Sequence, residues 1–354
     1  MTRPNPIRIL VAEDSPTQRK LLVALLRADP EIQVVGEASD GVEALAMARS
    51  LQPHVITMDV RMPRVDGLEA TKQIMIEAPT RIILVSDLDP RAVEMSLKTL
   101  RAGALTVLRK PAGPSAPDFE ERARDFIRMV KAMSEVLVVR HYASSKLPVT
   151  PAPAAAPAPA AAPTGSRRIV AIGASAGGPA ALHDLIERLP PSFPAPVLVV
   201  QHIAPGFVSG LATWLGTANR LRVKVAEDGD VLAPGTVYVA PDDHHLGLWD
   251  RTMIQLDDTP AEGGFRPSAT SLFRSVAAAC GPTAIAVILT GIGRDGVAGL
   301  ELVRRTGGHI IAQDESSSVV FGMPAAAIAA RLPDEVLPLG AIAPRLVELV
   351  SGDG

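Results

Sequence analysis

A chain of 354 residues is long enough for two ordinary domains. At 47% apolar and 3% aromatic, its cores must be built from aliphatic side chains. A net charge of −3, with no strong excess of either sign along the chain, argues against a nucleic-acid binder. The single cysteine, Cys280, excludes an intrachain disulfide, no apolar run is long enough to span a bilayer, and no secretory signal precedes the first strand-like segment, so the cytoplasm is the expected compartment.

Residues 7–12, IRILVA, predict a strand ending at Glu13 and Asp14. A helix is expected over 17–28, with Leu21, Leu22, Leu25 and Leu26 on one side, followed by a strand at Val34-Val35 and a helix over 41–48. A third strand, 54–58, stops at Asp59. Helix 67–77, strand 81–86, helix 90–101, strand 105–108 and helix 119–133 complete the series. Five alternations of strand and helix predict a flavodoxin-like, five-stranded parallel sheet with helices on both faces. Functional groups gather at the C-terminal strand ends of such a sheet. Here those ends carry Glu13, Asp14, Asp59, Ser86 and Lys110. One acidic strand end is usually a helix cap or a solvated loop, but five polar or charged residues at four strand exits argue for a site. Oxygen ligands at this density suit Mg²⁺, and a lysine beside them can pair with a carboxylate or with phosphoryl oxygens.

Residues 148–163, PVTPAPAAAPAPAAAP, have no pattern able to bury a face, and proline at this frequency resists helix. They mark a linker over 134–166 between a first domain, 1–133, and a second, 167–349. The second opens with RRIVAIGASAGG at 167–178, an apolar strand running into a glycine-rich turn that carries Ser175 and then into a helix over 179–189. Strand 196–200 exits at Gln201-His202. A helix over 207–215, strands at 223–226 and 236–240, a turn and strand through Asp242 to Trp249, and a helix over 271–279 follow. Strand 284–289 exits into TGIGRDG, which carries Asp295 and feeds helix 297–305, and a strand at 309–313 and a helix at 324–330 close the pattern. This predicts a second, doubly wound α/β domain with Ser175, His202 and Asp295 each just beyond an apolar strand.

Those three residue types are the ones acyl transfer needs. A serine hydroxyl requires an imidazole to take its proton, and the imidazole requires a carboxylate to fix its tautomer. A serine in a tight turn is also a common helix cap. The order Ser–His–Asp is not that of the α/β-hydrolases, in which the acid precedes the histidine, so that fold is rejected. Among other candidate bases, His183 reads as a surface helix residue. His244 and His245 lack a third ligand at zinc spacing.

The motifs AEDSPTQR, TMDVRMPRVDGLE, ILVSD and LRKP resemble the receiver domain of two-component response regulators. The motifs AIGASAGG, VVQHIAPGF, PGTVYVAPDDHHL, SLFRSVA, ILTGIGRDGVAGL and AQDESSSVVFGMP resemble the catalytic domain of the CheB family of chemotaxis protein-glutamate methylesterases, whose receiver–linker–esterase order the whole chain shares. The sequence departs from the family at Ala176, where threonine is common, at Ile292, where methionine is usual, and in VSD around Ser86.

The resemblance implies that Asp59 accepts a phosphoryl group from a chemotaxis histidine kinase, with Glu13, Asp14 and Asp59 holding Mg²⁺. It further implies that Ser86 and Lys110 follow the phosphoryl group and that Pro111 follows a cis peptide bond. For the second domain it implies Ser175 as nucleophile, His202 as base and Asp295 as the orienting carboxylate, with no cofactor for ester hydrolysis. The substrates would be glutamate γ-methyl esters, and glutamine amides, of methyl-accepting chemoreceptors, placing the protein in the cytoplasm at receptor arrays. The unphosphorylated receiver would restrict access to the catalytic cleft. An esterase on another protein target, or a phosphorylation-dependent binding module in which Ser175 only caps a helix, are the competing readings.

Overall fold

The computed structural model describes residues 6–116, 119–135, 168–218 and 220–351. Of the expected linker, only Ser134 and Glu135 fall among them.

The first sheet is built from β1 (Ile7–Ala12), β2 (Ile32–Ala38), β3 (Val55–Asp59), β4 (Arg81–Ser86) and β5 (Thr106–Arg109), in the order β2-β1-β3-β4-β5 and parallel throughout. β3 is buried along its whole length, as befits a central parallel strand with helices on both faces. Between the strands run α1 (Pro16–Arg27), α2 (Gly41–Leu51), α3 (Gly67–Glu77) and α4 (Pro90–Arg101), and α5 (Phe119–Ser134) follows the last. Ser15, Asp40, Asp66 and Asp89 cap α1 to α4 by accepting from backbone N–H groups of the first turn.

The second sheet has seven parallel strands in the order β14-β13-β12-β6-β7-β9-β8. Its centre is β6 (Ile169–Ala174), with β7 (Val197–Gln201) on one side and β12 (Ala284–Ile288) on the other, all three fully buried. Beyond them lie β8 (Arg222–Val225), β9 (Thr236–Val239), β13 (His309–Gln313) and β14 (Glu335–Leu337). A separate antiparallel hairpin joins β10 (His245–Leu248) to β11 (Ile254–Asp257). The helices are α6 (Gly178–Arg188), α7 (Val208–Gly216), α8 (Ala269–Cys280), α9 (Val297–Arg305), α10 (Met323–Ala329) and α11 (Leu339–Ser351). The sequence pattern does not announce β11, β14 or α11: the two strands have four and three residues, and Pro344 interrupts the helical periodicity of α11.

Two expectations are corrected. Among the described residues the cis peptide bond is Arg266–Pro267, so Lys110–Pro111 is trans. Trans is the intrinsically preferred form of an X–Pro bond by about 0.5–1 kcal/mol. In it the Pro111 carbonyl accepts from Gln18 Nε2 at 3.0 Å and the Lys110 N–H donates to the Ser86 carbonyl at 2.9 Å. His183 is not a surface residue: it is 4% exposed, with its ring tilted over Trp214 at 4.5 Å, because α6 packs against both α7 and α4 of the first domain.

Helices α8 and α9 pack tightly at Gly299, where a β-carbon would lie 2.5 Å from the Thr270 carbonyl oxygen and 2.7 Å from Phe273 Cβ. Gly299→Ala is therefore expected to push the helices apart and to lower stability by about 1–3 kcal/mol, read from urea unfolding curves.

Candidate active site

At the C-terminal edge of the first sheet, Glu13 ends β1 and Asp59 ends β3, on either side of the point where the strand order reverses. Lys110 Nζ lies 3.1 Å from Glu13 Oε1 and 2.8 Å from Asp59 Oδ2. Burial, and then the charge of Asp59, raise the Glu13 pKa to about 7, against the pull of Lys110. Asp59 is also raised, by burial, despite the hydrogen bond from Lys110. Burial works against the charge on Lys110, but the two carboxylates outweigh it and hold its pKa above the usual value. Glu13 Oε2 is buried without a hydrogen-bond partner, and carboxylate oxygens of Glu13, Asp14 and Asp59 lie within 4.8 Å of one another. This set of oxygens, over-charged and under-satisfied, fits a small divalent cation. Ser86 is buried at the end of β4, with its hydroxyl donating to the Asp87 carbonyl at 3.2 Å. A cavity of about 600 Å³ opens over Asp14, Asp59, Leu88, Lys110 and Arg122.

In the second sheet the order reverses at β6, and the three strands around that point carry Ser175, His202 and the loop to Asp295. The turn after β6 is tied to both neighbours. The Ser175 N–H donates to the Thr290 carbonyl at 3.0 Å, and Gln201 Nε2 donates to the carbonyls of Ser175 and His202 at 2.7 and 2.8 Å. Thr290 Oγ1 donates to the Ala176 carbonyl at 2.9 Å. Gly177 has φ of 74° and faces Val319, where a β-carbon would come within 2.6 Å, so the turn takes no side chain there.

His202 Nε2 is 2.9 Å from Asp295 Oδ2. The Asp295 carboxylate also accepts from Ser268 Oγ at 2.7 Å and from the N–H groups of Ala269, Thr270 and Gly296 at 2.7, 3.1 and 2.9 Å. Burial alone would raise its pKa. The bond and charge of His202, with the Ser268 and Ala269 donors, outweigh burial and hold it well below the usual carboxylate range. An ionised Asp295 makes Nε2 the protonated nitrogen of His202 and leaves Nδ1 with its lone pair. Nδ1 is buried and has no hydrogen-bond partner, so no bond to Ser175 is made in this arrangement. The His202 ring lies flat on Phe265, with centroids 4.0 Å apart and planes 2° from parallel.

Of the alternative bases, His244 is exposed and bonded to the Asp242 carbonyl, and His245 is buried with Nδ1 accepting from the Ser268 N–H at 3.2 Å. His183 shares its helix with Asp184 and Glu187, whose carboxylates lie 3.8 and 3.3 Å from Arg101 of α4. Cys280 is buried, and desolvation pushes its thiol up to about 11, so it is no nucleophile at neutral pH. Sequence reasoning passed over Gln201, Ser268, Phe265 and Thr290. For Ser268 a signal existed, since RPSAT just ahead of an apolar run marks a helix N-cap.

The first domain covers this turn. The Gly177 N–H donates to the carbonyl of Leu105, the residue before β5, at 2.8 Å. Ala176 and Val320, with half-buried Ile292 and Val319, join an apolar cluster of the first domain that includes Leu105 and Phe126.

A family model described as CheB methylesterase matches residues 170–346, and one described as response regulator receiver domain matches residues 9–116. The chain is 54% identical over 350 residues to protein-glutamate methylesterase/protein-glutamine glutaminase 4 of Myxococcus xanthus, covering 99% of each chain. It is 56% identical over 342 residues to protein-glutamate methylesterase/protein-glutamine glutaminase 3 of Anaeromyxobacter dehalogenans, covering 96% of this chain and 98% of the other. The crystal structure of the Thermotoga maritima CheB methylesterase catalytic domain, 44% identical, aligns with a TM-score of 0.51 over 52% of this chain and 99% of its own.

Asp295→Asn turns an amide N–H towards donors and is expected to destabilise the fold by about 1–3 kcal/mol at pH 7. Because the folded-state pKa of Asp295 is depressed, its contribution is present above the range of an unfolded carboxyl, near pH 4, and is lost as pH falls below it. Urea unfolding at pH 7 and pH 3 should therefore show the gap between wild type and variant narrowing in acid.

Proposed function

Because the chain belongs to the CheB family, with a receiver domain ahead of a methylesterase domain, we propose that it hydrolyses glutamate γ-methyl esters on methyl-accepting chemoreceptors, releasing methanol, and deamidates receptor glutamines, releasing ammonia. The observation that carries this reading is the buried His202–Asp295 pair, whose second ring nitrogen is unpartnered on the strand next to Ser175. His202 Nδ1 takes the Ser175 hydroxyl proton as the oxygen attacks the γ-carbonyl. The imidazolium, paired with Asp295, then protonates the methoxy oxygen or amide nitrogen as its bond to the carbonyl carbon breaks, and methanol or ammonia departs. Water attacks the γ-glutamyl ester, with His202 again as base, and glutamate leaves. The Ala176 N–H, which makes none of the backbone bonds of the turn, is the donor proposed for the oxyanion.

The receiver, 1–133, regulates the catalytic domain, 167–349, across the linker 134–166. Asp59 is the phospho-acceptor, a histidine kinase of the chemotaxis system is the phosphodonor, and Glu13, Asp14 and Asp59 are the residues that would hold Mg²⁺. When bound, Mg²⁺ supplies positive charge for the incoming phosphoryl oxygens. Lys110 neutralises the same edge from the other side, and Ser86 is the hydroxyl that reorients. Leu105 and its apolar neighbours lie on the Ser175 turn and limit access to it until the receiver shifts. Among the described residues no helix is long and apolar enough to cross a membrane, and the site of action on this reading is the cytoplasmic face of receptor arrays.

Methanol release from methylated receptor membranes tests the reading. Ser175→Ala should lower it by about 10⁴-fold or more, and Asp59→Asn should abolish stimulation by a small-molecule phosphodonor while leaving the basal rate. No release by folded, phosphorylated wild type would overturn it. Arg101→Glu places like charges opposite Asp184 and Glu187 and should raise the unphosphorylated rate by roughly two- to five-fold, the scale of an exposed ion pair.

A further inference from the structure

The His202–Asp295 pair is served by one short segment. Residues 268–270 supply Asp295 with the Ser268 hydroxyl and the Ala269 and Thr270 N–H groups, and three residues earlier in the chain Phe265 lies against the His202 ring. The carboxylate fixes only Nε2. A single hydrogen bond leaves the ring free to swing about the Nε2–Asp295 direction, and Nδ1 has no partner to stop it. A flat aromatic face at 4.0 Å, within 2° of parallel, removes that freedom, because rotation out of plane drives ring atoms into the phenyl. It also covers one face of the imidazole against water, and its π cloud faces the charge that forms when the ring takes a proton.

The phenyl is itself held. Glu262 and Phe265 exchange both backbone hydrogen bonds at 3.0 Å around Gly263 and Gly264, both at positive φ. Glu262 pairs with Arg274 of α8, and Arg266 Nη1 donates to the Asp258 carbonyl at 2.9 Å. The loop tip is thereby fastened to the helix whose N-terminus binds Asp295, so ring and carboxylate are referred to one frame.

We propose that Phe265 is a positioning residue for the reaction: it sets the plane of the His202 ring so that Nδ1 addresses Ser175, and it acts through His202 without touching the ester. The proposal rests on His202 being the general base. Misplacing a reacting group by about 1 Å costs up to roughly 100-fold. Replacing the ring is therefore expected to lower kcat with little change in KM.

The test uses the full chain with a phosphodonor and methylated receptor membranes, comparing Phe265→Ala, Phe265→Leu, Phe265→Tyr and Phe265→Trp. Expected are losses in kcat of about ten-fold for Ala and Leu with KM within about two-fold, and recovery to within about two-fold of wild type for Tyr and Trp. Relaxation dispersion of the His202 ring ¹³C–H signals is recorded for each: a ring held in one plane in the aromatic variants, and microsecond-to-millisecond exchange between ring orientations in Ala and Leu, with Nε2–H kept throughout. Leucine serving as well as phenylalanine would overturn the proposal, as would a change confined to KM, which would make Phe265 a substrate contact. If wild type releases no methanol, the ester reading fails. The ring relaxation data still decide the positioning role, which is lost if the exchange is the same in all five proteins.

Discussion

A carboxylate taken out of water has to be given hydrogen-bond donors or it takes a proton, and Asp295 is given five. Much of the catalytic domain follows from that requirement. Three of the donors come from the first residues of α8, which fixes where that helix begins; another is the Gly296 N–H at the entry to α9. The two helices must then meet closely, which is why Gly299 faces the Thr270 carbonyl. The fifth donor is the His202 ring, so the same arrangement that makes the burial of charge tolerable also orients the imidazole proposed as the base. Stability and chemistry are here one set of hydrogen bonds.

Both domains place their reactive groups by the same rule. In each parallel sheet the first strand lies inside the order, and connections run from it to both sides, which opens a crevice at the carboxyl ends of the strands. In the receiver that crevice holds Glu13 and Asp59; in the catalytic domain it holds the Ser175 turn and the loop to Asp295. Strands with apolar, β-branched runs are easy to find in a sequence, and their exits follow directly, so Glu13, Asp59, Ser86, Lys110, Ser175, His202 and Asp295 were all legible as strand-end residues before any geometry was known.

What was not legible has a common cause. Ser268 and Phe265 act on residues 27 and 63 positions away, and no local periodicity encodes such a pairing. His183 reads as polar and therefore exposed, yet it is buried where two domains meet, a contact that neither domain's amphipathic pattern announces. The trans bond before Pro111 shows the opposite failure: there the expectation came from family resemblance, and this chain's own hydrogen bonds to Gln18 and Ser86 hold the segment without it.

The domain contact gives the regulatory reading a short physical path. Leu105 and Lys110 flank β5, a strand of four residues. At one end the Lys110 ammonium touches the Asp59 carboxylate; at the other the Leu105 carbonyl takes the N–H of Gly177, two residues beyond Ser175. At about 3.3 Å per residue, the two ends are separated by roughly 17 Å of extended backbone clamped to β4 along its length. On the regulatory reading, a change in where Lys110 sits would be passed to Leu105 along the strand itself, without any chain of side-chain rearrangements. Coupling therefore requires only that the docked arrangement, with a receiver carbonyl on the catalytic turn, and the released one differ by the few contacts that phosphorylation alters.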